Sequence, residues 1–232
     1  MTATDALREP LTSASVVLFD FDGPICDVFA GMPAHQIAVR LAQFAPSDQS
    51  VLRSKLAGTD DPLEVLRLAY AADIELSRKV EQALTTAEVE AVQVAGNPTP
   101  GAVAALTGAR AAGQRVGVVS NNSAECVRAF LARHDLSEYV EEIIGRPQER
   151  PDLMKPHPHS LIRAAELFGV PASSCVLIGD SVTDIEAAHA AGSLAVGYAN
   201  KPGKARAFSD AGADAITDDM HAIAEALSRS GG

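Results

Sequence analysis

"VVLFDFDGPICD", residues 16–27, is an apolar run that ends in two aspartates, Asp20 and Asp22, with one residue between them. A carboxylate taken out of water is costly unless it is paired, hydrogen-bonded or bound to metal. Two of them at the end of an apolar strand therefore mark a site. Side chains alternate along a strand, so Asp20 and Asp22 share one face and Phe21 takes the other.

Further apolar runs repeat the pattern outward from this one. "SVVLFD" (15–20), "RVGVVS" (115–120), "CVLIGD" (175–180), "LAVGYA" (194–199) and "ADAITD" (213–218) read as strands, and "EYVEEIIG" (138–145) as a weaker one. They are nearly unbroken in apolar character, as parallel strands covered on both faces must be. Helical patterns lie between them, such as "PHSLIRAAELFG" stopping at Gly169 and "DIEAAHAAG" stopping at Gly192. The alternation predicts an α/β fold with a doubly wound, Rossmann-like parallel sheet. Residues 28–96 break it. They hold no convincing strand and read as helices near 34–45, 48–57, 62–72 and 76–94, the third opened by Asp61 as N-cap and Pro62 at the first position. An insertion of that length is too long for an ordinary crossover. The expected organisation is a core of residues 14–27 and 97–232 and an all-helical cap of residues 28–96. Residues 1–13 read as a polar, frayed arm.

The 232 residues carry a net charge of −11, which disfavours nucleic acid and anionic membranes as partners. No apolar run is long enough to span a bilayer, and the N-terminus has no apolar signal-peptide region. Cys26, Cys126 and Cys175 form no C-x-x-C pair, which suits a reduced, cytoplasmic setting. Cys175 reads as core, and Cys26, near the aspartates, as packing with reactivity the lesser reading. His157 and His159 read as structural or exposed.

Polar residues gather where the strands end, which is where open α/β sheets bind ligands. They are Asp20 and Asp22, then Ser120, Asn121 and Asn122, then Asp180 and Asp184 in "GDSVTD". Lys155 in "DLMKPHP" precedes the helix leading to that last strand, and the prolines fix an extended segment that can aim it inward.

"DFDGPICD", Ser120 in "VVSNN", Lys155 in "MKPHP" and "GDSVTD" resemble, in order, the four motifs of the haloacid dehalogenase superfamily, whose members are mostly phosphohydrolases. The insertion after the first motif resembles the cap of the phosphoglycolate phosphatase and β-phosphoglucomutase subgroup. The resemblance implies a Mg²⁺-dependent phosphatase acting on a small phosphorylated metabolite. Asp20 is then the nucleophile, forming an aspartyl-phosphate, and Asp22 the general acid and base. Ser120, Lys155 and backbone N–H groups near Phe21, Asp22 and Asn121 hold the phosphoryl oxygens. The implied metal ligands are Asp20, Asp180 and the backbone carbonyl of Asp22, with Asp184 as an outer ligand or an orienter of metal-bound water. Asp184 also reads as an N-cap of the helix behind it. The charge chemistry agrees, because a phosphate dianion cannot approach these carboxylates without a hard cation between them.

Four rivals stand beside this reading. A phosphomutase of the β-phosphoglucomutase type uses the same residues. A phosphonate hydrolase needs a cap lysine, for which Lys55 and Lys79 are available, and a haloacid hydrolase needs neither Asp22 nor metal. A catalytically silent binding module has no use for the charge cluster. Pro24 stands where the family usually has Thr or Val, which predicts a stiffer flap. The cap loop "RSKLAGTDDP" (53–62) is the expected substrate reader, with Arg53, Lys55, Thr59 and Asp60 as its polar contacts.

Overall fold

A computed structural model describes residues 3–228. In chain order its elements are α1 (Ala3–Ser13), β1 (Val16–Phe19), α2 (Ala34–Ala42), α3 (Ser50–Ala57), α4 (Pro62–Ala72), α5 (Ile74–Val94), α6 (Ala102–Ala111), β2 (Arg115–Val119), α7 (Ala124–Arg133) and β3 (Glu142–Ile144). There follow α8 (His159–Phe168), β4 (Cys175–Gly179), α9 (Val182–Ala191), β5 (Leu194–Tyr198), α10 (Lys204–Asp210), β6 (Ala215–Thr217) and α11 (Met220–Ser228). All six strands are parallel, in the order β3-β2-β1-β4-β5-β6. The run read as a weaker strand is the short edge strand β3.

Strand alternation sorts the core into two layers. Val17 and Phe19 face one side, where α1, α6, α7 and α11 supply Leu7, Leu106, Phe130 and Ile223. Val16 and Leu18 face the other, under α8, α9 and α10 with Phe168, Ile185 and Phe208. Phe21 continues the first parity and packs in the first layer, its ring 5.5 Å from that of Phe130. Asp20 is thereby free of that layer. The insertion has its own apolar centre, built from Ile37, Leu41, Leu56, Leu66, Val80 and Leu84. Helix α5 belongs to both bodies: Val80, Leu84 and Ala87 face the cap centre, while Ala91 and Val92 pack into the core.

The expectation of a frayed arm over residues 1–13 is corrected. Residues 3–13 form α1, which docks on the core beside α11 and β6. Leu7 and Leu11, four apart on one helix face, are fully buried, and each such burial is worth about 1.5–3 kcal/mol. The Gln114 amide then fastens the end of the helix, donating to the carbonyls of Leu11 (2.5 Å) and Ala14 (2.8 Å). With two leucines among many polar residues, the composition resembled a tail, and the helix exists because the sheet offers it a surface. No helix among the described residues is long and apolar enough to cross a membrane.

Candidate active site

Strand β1 runs between β2 and β4, so its carboxyl end lies where the chain's crossovers change direction and leave a crevice. The Asp20 N–H extends the ladder by one bond to Ile178 O, at 2.8 Å. Asp20 and Asp180 are thus brought to the ends of adjacent strands. The turn that follows approaches Asp180 closely. Gly23 has φ +100°, and a Cβ there would lie 2.4 Å from the Asp180 carboxyl carbon, so the position admits only glycine. Gly23 N–H donates to Cys26 O at 2.6 Å, and Thr99 holds the turn from outside through Gly23 O (2.7 Å) and Ile25 O (2.8 Å). Pro24 sits inside this turn, and its missing N–H removes none of these bonds.

Lys155 is the positive centre of the cluster. Its side chain is 2 % exposed, with Nζ 2.6 Å from Asp184 Oδ1, 3.0 Å from Asp20 Oδ1, and donating to Val119 O at 3.1 Å. Asn121 sets its place: the Lys155 N–H donates to Asn121 Oδ1 (2.9 Å), and Asn121 Nδ2 donates to Lys155 O (3.2 Å). The Asn121 side chain is therefore spent on positioning Lys155. Likewise Phe21 N–H donates to Asp20 Oδ1 at 2.7 Å.

The N-cap reading of Asp184 is corrected. Ser181 is the N-cap of α9 and Asp184 the third residue of a capping box, its Oδ2 accepting from Ser181 N–H and Oγ, both at 2.9 Å. This leaves Oδ1 for Lys155. Asp180 is held from a segment that the sequence reading passed over: Lys204 Nζ lies 2.6 Å from its Oδ2, and Asn200 Nδ2 donates to the same oxygen at 3.0 Å. Both residues lie just beyond β5, so the strand-end logic applied to β1, β2 and β4 would have reached them. Asp22 is partly buried, its Oδ1 accepting from Val28 N–H at 3.0 Å.

Asp20, Asp180 and Asp184 each offer an oxygen within 4.8 Å of the others. An all-oxygen donor set of this kind fits a hard divalent cation of the Mg²⁺ class. The electrostatics agree. Burial raises Asp20 to about 8, Asp184 and Asp180 add to this, and Lys155 opposes it. Burial alone would lower Lys155, but Asp184 and Asp20 outweigh it and raise the ammonium's pKa. Lys155 thus stays charged, and further positive charge is needed before Asp20 ionises freely. Asp22 is raised by burial to about 6, against the pull of the Val28 N–H.

Above these groups lies a cleft of about 370 Å³ that Asp20, Asp22, Ser120, Asn121, Lys155, Asp180 and Asp184 all line. The cap closes it with Phe29, Asp61, Leu63, Leu84 and Arg67, the last being the cap's cation on this wall among the described residues. The expected cap contacts lie elsewhere. Arg53 lines a groove with Val39 and Ala42, and Lys55 another with Asp48 and Leu68. Thr59 and Asp60 are outside the cleft's lining, and Thr59 Oγ1 accepts from Asp61 N–H at 3.2 Å. The loop orders itself for the start of α4, and the residues that reach the cleft are its last two, Asp61 and Pro62, with Leu63 and Arg67 on the first turns of that helix. Lys79 is exposed. The three cysteines are buried, and burial raises their thiols, Cys175 to about 11, so none is a nucleophile here. His157 is exposed, its Nδ1 accepting from His159 N–H at 3.1 Å.

A parallel sheet with an acidic, lysine-centred cluster at its switch point and a helical cap above defines a doubly wound α/β protein with a capped acidic site. The sequence pattern of the haloacid dehalogenase-like hydrolases spans residues 14–192, and the chain belongs to that family. It is 31% identical over 195 residues to a phosphoglycolate phosphatase of Xylella fastidiosa, covering 80% of this chain and 81% of that one. A phosphoglycolate phosphatase of Rhodospirillum rubrum is 27% identical over 225 residues, 91% of this chain and 90% of that one. With a plasmid-borne phosphoglycolate phosphatase of Cupriavidus necator the identity is 36% over 132 residues, and the chain spans about half of that relative, 54%. Among solved structures, a haloacid dehalogenase-like hydrolase fold from Bacteroides fragilis superposes with a TM-score of 0.70 at 22% identity, over 90% of this chain and 98% of that one. A family hydrolase from Deinococcus radiodurans with bound phosphate and sodium gives 0.57 at 24%, over 92% and 96%.

Proposed function

We propose that the protein is a Mg²⁺-dependent phosphatase that hydrolyses a small phosphorylated carboxylic acid through an aspartyl-phosphate on Asp20. The observation that carries this is the cluster itself: Asp20 held at the floor of a small cleft by Lys155, with Asp22 two residues on and Asp180 and Asp184 beside it. The names of the relatives support the substrate class. Asp20, Asp180 and Asp184 would hold the metal, which supplies the positive charge that lets a phosphate dianion meet these carboxylates. Asp20 Oδ attacks phosphorus and the ester oxygen leaves. Asp22, its pKa raised by burial toward neutrality, gives that oxygen its proton when in the acid form and takes one back from the water that opens the acyl phosphate. Lys155 neutralises charge on the transferring oxygens, and the Ser120 hydroxyl, turned from Asn122 Oδ1 to phosphate, donates a hydrogen bond to one of them.

The test is release of inorganic phosphate from a panel of sugar, nucleotide and carboxylate phosphates, with Mg²⁺ and with chelator. Metal-dependent release fastest on a two- or three-carbon acid phosphate supports the reading. No release from any ester refutes it, and isomerised hexose phosphate without phosphate release would make the protein a mutase.

Two outcomes are expected within the same assay. Asp22→Ala should lose on the order of a hundredfold or more on alkyl phosphates and far less on an activated aryl phosphate, whose leaving group hardly needs a proton. Equal losses on both would make Asp22 structural. Arg67 is half-exposed and only loosely paired with Glu64, at 3.5 Å, so its guanidinium can turn to an anionic leaving group. Arg67→Ala should lower kcat/KM on a carboxylate phosphate by roughly tenfold or more, the size of a charge-assisted hydrogen bond, and spare a neutral aryl phosphate. Equal rates on both substrates would remove Arg67 as the reader.

A further inference from the structure

A carboxylate from the cap is buried beneath the loop that follows β2. Glu88 has no exposure, and it stands on α5 between the residues facing the cap centre and those packed in the core. Arg146, from the segment after β3, meets it: Nη1 donates to Oε1 at 2.8 Å and Nη2 lies 3.4 Å from Oε2. The Arg146 side chain is 1 % exposed. Its remaining contacts are Thr85 Oγ1 (3.0 Å), Asn121 O (3.1 Å) and Glu81 Oε1 (3.5 Å).

The pair grips three successive residues. Arg146 takes Asn121 O, Asn122 Nδ2 donates to Glu88 Oε1 at 3.3 Å, and Ser123 N–H donates to Glu88 Oε2 at 2.9 Å. A direction of bonding follows. An ionised carboxylate only accepts, so Asn122 must turn its NH₂ to Glu88 and its Oδ1 away. That Oδ1 receives the Ser120 hydroxyl at 3.2 Å, while Asn122 N–H donates to Ser120 Oγ at 3.1 Å. The place of the Ser120 oxygen is therefore set from a cap residue, through the Asn122 N–H and amide. A buried ion pair is a weak source of stability compared with an apolar pair of the same volume. Its polar reach into the loop is what an apolar pair lacks.

We propose that Glu88 and Arg146 are a positioning pair that presets the Ser120–Ser123 loop for the phosphoryl oxygens. This rests on the phosphatase reading, in which that loop faces phosphate. Glu88→Gln keeps the shape, strands the Arg146 charge and lets the Asn122 amide turn round. The probe is inorganic phosphate as a competitive inhibitor in the presence of Mg²⁺, measured beside KM, kcat and thermal stability. Glu88→Gln should weaken phosphate inhibition by about tenfold and lower kcat/KM equally for all leaving groups, unlike Arg67→Ala. Arg146→Lys, which keeps charge and loses the fork, should fall between. A folded Glu88→Gln protein with lowered thermal stability but wild-type phosphate inhibition would overturn the proposal, since the pair would then only hold the bodies together. If Glu88→Gln fails to fold, the double variant Glu88→Met with Arg146→Met removes both charges and keeps the packing. It should fold and still bind phosphate weakly, and wild-type inhibition there would likewise overturn the role. A wild-type enzyme that neither releases nor binds phosphate would bring down the function and the pair together, whereas an active wild type with an unaffected variant brings down the pair alone.

Discussion

Asp20→Asn is expected to lower turnover by at least about a thousandfold, because it removes the covalent route, while the protein stays folded. The amide keeps the volume and can still accept the Phe21 N–H, which is bound at 2.7 Å in the native protein. What it loses is the nucleophile's charge. Stability should move the other way in the metal-free protein. Burial raises Asp20 from 3.8 to about 8, so the native state holds this proton more tightly than the unfolded chain does. The stabilisation is complete below the unfolded value and is lost as pH rises through the native one. Metal-free wild type should therefore lose stability between about pH 4 and 8, and Asp20→Asn should lack that part of the decline. Denaturant curves at several pH values, with turnover in Mg²⁺, measure both. Turnover within tenfold of wild type would show that Asp20 is not the nucleophile.

Lys155→Met should damage activity and fold together. Its ammonium faces Asp184 at 2.6 Å and Asp20 at 3.0 Å, with almost no exposure to water. Removing one partner of a buried pair leaves uncompensated charge and costs about 3–5 kcal/mol. Loss of the charge on the transferring oxygens should add a turnover loss on the order of a hundredfold or more. Adding Asp184→Asn should recover part of the stability, by removing one stranded carboxylate, and none of the turnover. Urea midpoints for wild type, the single and the double variant decide it. A single variant as stable as wild type would mean that water reaches this lysine.

The alternation of apolar strands with helices was legible because buried parallel strands leave no room for polar residues, and so was the place of the acidic cluster. Asp20, Ser120 and Asp180 could be placed at the cleft because each stands just past a strand end, where polar residues have no packing reason to collect, and Lys155 because the prolines beside it fix the segment ahead of α8. The cap was harder. Arg53, Lys55, Thr59 and Asp60 lie in the right part of the chain, yet the helix register of α4 brings Leu63 and Arg67 to the cleft instead. Glu88 left one trace, a carboxylate four residues after Leu84 and three before Ala91 on a buried helix stripe. Its meaning depends on Arg146, 58 residues away.

Local sequence, then, determined the strands, the helices and the polar residues that gather at the strand ends, since periodicity and residue type act over a few positions. Tertiary structure decided which of these meet. Docking turned residues 3–13 from an apparent tail into α1, packing brought Lys204 and Asn200 to Asp180, and the course of α5 set Glu88 under the Ser120 loop. These contacts join segments far apart in the chain, and at Glu88 burial gives them their strength by removing the water that would otherwise screen the charge.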